Sequence, residues 1–271
     1  MLGRVTDVLR TLETYYDAAP RPLATTEDVG PFSVFVKTDP TGWDFYARPR
    51  LGLDEPVTIG DVKQVRERQR DLGVRENLEW VHETTPTLLD AARADGMRVE
   101  ECPLLVLPTD LSEVVTAPAV TESDSSGRVE VLAPDSPDLA AVTGAIHAGF
   151  DGVDEVPASD PGGRAGQIRS GLLAVVGAYD GQGNVVGGGS HSPRGTTTEL
   201  TGIAVLPRAR RHGVGAAITH ALVEDARRRG VGTIFLSAQD DAVARVYERV
   251  GFVRVGTACI AGAGTGRGDD A

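Results

Sequence analysis

Residues 197–215 read TTELTGIAVLPRARRHGVG, and two structural periods meet inside them. Leu200 to Leu206 is apolar apart from Thr201 and Gly202, short, and closed by Pro207, which favours a buried strand over a helix. From Val214 onward the apolar residues Ala217, Ile218, Ala221, Leu222 and Ala226 recur at helical spacing, and Gly230 stands where a helix stops. Between the two periods lies Arg210-Arg211-His212-Gly213-Val214-Gly215. Its glycines lack a Cβ, so a ligand can come close to the backbone. The first N–H groups of a helix have no internal partner, and the aligned peptide dipoles put about half a positive charge there. Phosphate suits such a position. Arg208, Arg210 and Arg211 stand beside the turn as charged donors.

Other phosphate loops fit less well. A Walker loop needs G-x-x-x-x-G-K-[ST], which the chain lacks, and a Rossmann turn needs a third glycine where Ile218 stands. What remains, R-x-x-G-x-G after a strand ending in V-x-P, resembles the acetyl-coenzyme A signature of the GNAT N-acetyltransferase superfamily. Val246 to Phe252, V-Y-E-R-V-G-F, is similar to the closing motif of that superfamily. The resemblance implies an α/β fold with a central mixed sheet flanked by helices, and acetyl-CoA as cosubstrate. It implies that Ile203, Ala204 and Val205 lie on a splayed strand, with Ala204 and Val205 meeting the pantetheine arm. It places Arg208 beside the pyrophosphate, and Arg210, Arg211, His212, Gly213, Val214, Gly215 and Ala216 around it.

The chain has 271 residues, enough for two domains of ordinary size. With 39 acidic against 27 basic residues its net charge is -12, which repels nucleic acid outside a local basic patch. Two cysteines are too few for a disulfide framework, and the five histidines show no ligand spacing, so no metal is expected. The N-terminus lacks the pattern of a signal peptide, and no apolar run is long enough to span a bilayer, so the expectation is a cytoplasmic protein without membrane partners.

In the first half, Val5 to Tyr16 has a helical stripe. Phe32 to Val36 and Trp43 to Arg48 read as strands of a hairpin, and Ile59 to Leu72 reads as a helix. Residues 79–101, set beside 234–256 without a gap, align Trp80 with Phe235, Gly96 with Gly251 and Met97 with Phe252. The halves resemble diverged copies of one unit. In the first copy Val57-Thr58-Ile59-Gly60-Asp61 stands where the glycine turn should be, and Ala92 stands opposite Tyr247. The expected organisation is a degenerate GNAT-like domain over residues 1–115, a polar linker over 116–127, a GNAT domain over 128–261 and a disordered tail over 262–271. An unrelated packing domain is the other reading of the first half.

Pro137 to Phe150 reads as a helix with Leu139, Val142, Ile146 and Phe150 along one stripe. It leads into an acidic loop, Asp151, Asp154, Glu155 and Asp160; the resemblance implies that this connection borders the acceptor entrance, where it would attract a cationic amine, and a solvated acidic loop is its other reading. Acetyl transfer to an amine needs a donor to the leaving thiolate and an acceptor for the amine proton. By position in its motif Tyr247 is the candidate acid; its other reading is a helix tyrosine packed on the sheet. Glu199, by its spacing before Arg210, matches the glutamate base of histone-type members; it reads equally as a solvent-facing strand residue. The function these readings imply is N-acetylation of a small-molecule or protein amine by attack in a ternary complex. A non-catalytic acyl-CoA sensor of the same fold is the alternative.

Overall fold

The computed structural model describes residues 2–39, 42, 44–108 and 127–263. The expected linker up to residue 126, and the tail from residue 264, lie outside them. The chain divides into two compact units. The first comprises Met1–Leu104, Ser237–Ala244 and Arg254–Ala271; the second comprises Leu105–Leu236 and Arg245–Val253. The change of unit thus falls before the expected boundary at 116–127, and the end of the expected 128–261 domain returns to the first unit.

The first unit opens with α1 (Leu2–Ala18), then β1 (Ala24–Val29), β2 (Phe32–Lys37), β3 (Ala47–Pro49), α2 (Ile59–Asp71), β4 (Leu78–Val81), α3 (Thr87–Ala94) and β5 (Arg98–Leu107), whose last residues pass into the second unit. The hairpin partner expected from Trp43 is the shorter β3, and β1 was not expected. Its sequence, ATTEDV, is exposed over four of six positions, so the apolar pattern that marks a strand is absent. The sheet order is β1-β2-β3-β4, followed by β11 (Val253–Gly262) and β5. β11 runs antiparallel to β4, pairing Cys259 with Trp80 and Ala261 with Leu78. It belongs to this sheet because its inward residues Cys259 and Ala261 are buried in the core formed by Phe32, Val62, Leu78, Trp80 and Leu88.

The second unit contains β6 (Arg128–Val131), α4 (Leu139–Asp151), α5 (Arg164–Arg169), β7 (Ala174–Tyr179), β8 (Val185–Arg194), β9 (Thr197–Val205), α6 (Val214–Arg228), β10 (Thr233–Ser237) apart from its last residue, and the second half of α7 (Asp241–Glu248). Its strands lie in the order β10-β9-β8-β7-β6, with β9 parallel to β10 and the others antiparallel. Three consecutive glycines let helices press onto both faces of β8. A Cβ on Gly188 would meet Val142 of α4 at 2.7 Å, and one on Gly189 would meet Ile218 of α6 at 3.0 Å.

Each unit repeats one motif. β3 and β4 are parallel with α2 between them, as β9 and β10 are with α6 between them. After the following helix, Gly96 (φ 77°) and Gly251 (φ 99°) both take the left-handed conformation that glycine permits. Buried Met97 and Phe252 come next. The helical stripe expected on α4 needs one correction. Leu139, Val142 and Ile146 are buried, but Phe150 is 61% exposed. The position that meets the sheet is Gly149, where a Cβ would touch that of Ala204 at 3.0 Å.

Candidate functional site

The site is built where β9 leaves β10. Thr197, Thr198 and Glu199 pair with Thr233, Ile234 and Phe235, and the pairing ends there. On its other edge β9 pairs with β8 up to Ser190↔Thr201, slips, and resumes at Gly188↔Ala204. Gly202 and Ile203 therefore face one residue, Gly189. This is a β-bulge, with Gly202 at φ 62° supplying the left-handed position. A bulge bends its strand, so the second half of β9, carrying Ile203, Ala204 and Val205, is free of β10. The mid-strand glycine was the signal for it.

Beyond Val205 a short 3-10 turn, Pro207–Ala209, leads into residues 210–213. Arg211 has φ 67° and Gly213 φ 80°. Left-handed conformation costs a residue other than glycine about 1–2 kcal/mol. The chain adopts it twice within three residues to curl its backbone ahead of α6. The first bond into the helix runs from the Ala217 N–H to the Gly213 carbonyl. The N–H groups of Val214, Gly215 and Ala216 therefore have no partner inside the helix. No side chain caps this end and its first turn holds no acid. A Cβ on Gly213 would meet no protein atom within 4 Å, so the turn faces open space.

The matching helix of the first unit is closed. Thr58 Oγ1 accepts from the Asp61 N–H at 3.3 Å, and Asp61 Oδ2 accepts from the Thr58 N–H at 2.8 Å. The chain's own carboxylate stands where an anion would, which removes the site from the first copy.

The arginines divide by role. The Arg208 guanidinium donates to the carbonyls of Asp154 and Val185, and its backbone N–H donates to Asp154 Oδ1 at 2.9 Å. Arg210 donates from Nε to the Val205 carbonyl at 3.0 Å and from Nη2 to the Gly149 carbonyl at 2.6 Å. Arg210 thus braces the turn against β9 and the end of α4, and Arg208 ties it to β8 and to the loop after α4. Arg211 and His212 are exposed and, among the described residues, have no side-chain partner. The acidic loop is partly engaged by the protein's own donors. Asp154 is held by Arg208, and Asp160 accepts from the Gly162 N–H, so two of the four carboxylates serve loop structure.

Glu199 is half-buried on β9, opposite Ser192. Strand alternation puts it on one face with Thr201, whose hydroxyl lies 3.0 Å from Ser190 Oγ. A Cβ on the neighbouring Gly202 would come within 3.8 Å of Ser190 Oγ and 3.7 Å of Ile146 on α4, so this is the α4 face. The sequence reading missed this row of hydroxyls. The opposite face holds a second group it missed. Buried His191 bonds Asp225 of α6 at 3.0 Å and Thr198 at 3.1 Å, and Arg229 also donates to Asp225. Asp225 is drawn down to about 2: the bonds from His191 and Arg229 outweigh burial, which acts the other way.

Tyr247 lies on α7, the helix after β10, with its ring edge-on to Phe252 at 6.1 Å between centroids. Burial pushes its phenol up to about 12. It is thus packed as well as placed in its motif, and both readings of it keep their support.

A splayed parallel strand pair with an uncapped glycine turn at its carboxyl end defines an α/β protein whose helix terminus is open and suits an anion. The Acetyltransferase (GNAT) family model matches residues 155–252. Among solved structures, the fold is similar to a GCN5-related N-acetyltransferase from Kribbella flavida. The TM-score is 0.69 at 20% identity, over 95% of this chain and 96% of that one. It is also similar to a tandem GNAT protein from the clavulanic acid biosynthesis pathway, with a TM-score of 0.55 and 17% identity over 87% and 79% of the chains. A third is a GCN5-related N-acetyltransferase-like protein from Streptococcus suis, with a TM-score of 0.55 and 11% identity over 95% and 99%. No curated protein matches the sequence. Among the described residues no helix is long and apolar enough to cross a membrane, and no cluster of side chains is arranged to hold a metal ion.

Proposed function

We propose that the second unit transfers an acetyl group from acetyl-CoA to a primary amine by direct attack in a ternary complex. The observation that carries this reading is the open N-terminus of α6, curled by Arg211 and Gly213 at the carboxyl end of a strand that the Gly202 bulge has freed. The free N–H groups of residues 214–216 and the cation of Arg211 suit a pyrophosphate. The unpaired edge of Ile203, Ala204 and Val205 suits the amide groups of a pantetheine arm. Glu199, beside a row of hydroxyls, is placed to take the amine proton directly or through a water. Tyr247 is the proposed donor to the thiolate. The two free thiols, Cys102 and Cys259, fit the cytoplasmic setting that completes the proposal.

The depth at which Tyr247 is packed favours a second reading, a non-catalytic acyl-CoA sensor, because a phenol near 12 is a reluctant acid. Incubation with acetyl-CoA and a panel of amines, followed by detection of free thiol, separates the two. Amine-dependent thiol release supports transfer; tight coenzyme binding with no release for any amine supports the sensor.

A further inference from the structure

Arg164, the first residue of α5, stands out among the arginines of this acidic chain. Arg48 has Glu13, Arg66 has Glu76 and Asp95, and half-buried Arg194 donates to the Leu172 and Pro193 carbonyls. Arg164 is half-buried, yet no side chain or carbonyl among the described residues partners its guanidinium. Burial alone acts on it and pushes its pKa below the usual arginine range. A guanidinium stays charged at neutral pH all the same. A covered cation with no counter-charge is costly, which is why such groups are normally paired.

The position of Arg164 says where an anion would enter. Residues four apart share a helix face, so Arg164 lies on the face of Ile168. Ile168 and Ala165 pack against the core cluster that includes Leu139, Val142, Ile146 and Ala204. Ala204 is opposite Gly188, which abuts Val142 of α4, so this packing is on the α4 face of the sheet. Glu199, Thr201 and Ser190 are on that same face. The α4 face of the sheet thus carries a carboxylate and hydroxyls, and the helix that bears Arg164 packs on that same face.

We propose that the amine acceptor carries a carboxylate, bound by Arg164 while its amine is presented toward Glu199. The inference rests on the acetyltransferase reading above and replaces the expectation of a simply cationic acceptor. The chemical class is an amino acid or a similar amino-carboxylate. Its carboxylate forms charge-assisted bonds with the guanidinium, and its nitrogen attacks the thioester carbonyl. The thiolate then leaves with the coenzyme as an amide forms, and the amine proton passes to Glu199 or a water.

The test compares full-length wild type, Arg164→Gln and Arg164→Lys. The substrates are matched pairs: glycine and glycinamide, β-alanine and its amide, 4-aminobutyrate and its amide. A charge-assisted bond to a carboxylate predicts that wild type prefers the acid of at least one pair by about 10- to 100-fold in kcat/KM. Arg164→Gln should abolish the preference mainly through KM, and Arg164→Lys should keep part of it. A second arm needs no turnover: calorimetric binding of the corresponding N-acetylated acids and amides in the presence of coenzyme A. Acid-selective binding that Arg164→Gln removes, without turnover of any amine, would retain the anion site and reject the transferase. Equal binding of acids and amides by wild type, or a preference that survives Arg164→Gln, overturns the proposal.

Discussion

Tyr247 shows how packing alters a residue's chemistry. An exposed phenol near 10 gives a proton to a thiolate whose acid lies near 8.5 at little cost. With burial holding Tyr247 at about 12, full transfer becomes uphill by roughly three to four powers of ten, so the proposed donor works only if the charge on sulfur develops beside it. The raised value also keeps the proton in place throughout the neutral and mildly alkaline range. Tyr247→Phe should therefore lower turnover by about 100-fold or more while leaving coenzyme A affinity near the parent value. Unchanged turnover would leave Tyr247 as packing. Asp225 illustrates the opposite shift. Its folded pKa of about 2 lies below its ordinary value near 3.8, so its contribution is present above about pH 4 and is lost as pH falls toward 2. A shift of about two units corresponds to roughly 2–3 kcal/mol. Denaturant melts should show Asp225→Asn less stable than the parent by about that amount at pH 7, with the gap closing between pH 4 and 2. A gap that persists at pH 2 would show that the His191 and Arg229 bonds act through shape rather than charge.

Among the elements, the strand, turn and helix of residues 197–228 were legible because each carries a local signal: β-branched residues, a proline, glycines, then a helical stripe. The interactions made by the turn's arginines were not legible. Spacing placed Arg208 and Arg210 beside the phosphate, whereas tertiary structure spends their donors on Val205 and on Val185, Asp154 and Gly149, the last three remote in sequence. Arg210 accordingly positions the turn against α4 and β9. Two carbonyl bonds of about 1 kcal/mol each are at stake. Lysine keeps the charge but lacks the planar fork that spans both carbonyls. Hydrogen exchange in the free protein should speed up at the end of α4, including the Val153 N–H that bonds the Ala148 carbonyl, in Arg210→Lys but not in Arg211→Lys. Parent-like exchange in Arg210→Lys would contradict the brace. Sequence likewise shows the four carboxylates of the acidic loop but not that Asp154 and Asp160 are already bound.

For the molecule as a whole, the repeat was readable from glycines and aromatic residues at matched positions, and from Thr58 and Asp61 where the first copy should open. The membership of β11 was not. Its sequence continues the second half of the chain, yet its partner is β4 and its buried residues complete the core of the first unit. Strand partners depend on contacts distant in sequence, which a periodic pattern cannot name. The contrast between the self-capped α2 and the open α6 fixes what the whole chain should bind: one coenzyme, in the second unit. Calorimetric titration of coenzyme A into the full chain and into a folded Gly213→Asp variant tests this. The strained φ of 80° and the added negative charge both act at the phosphate turn. One coenzyme per parent chain, with binding lost in the variant, is the predicted result; two per chain, or equal affinity in the variant, would contradict it.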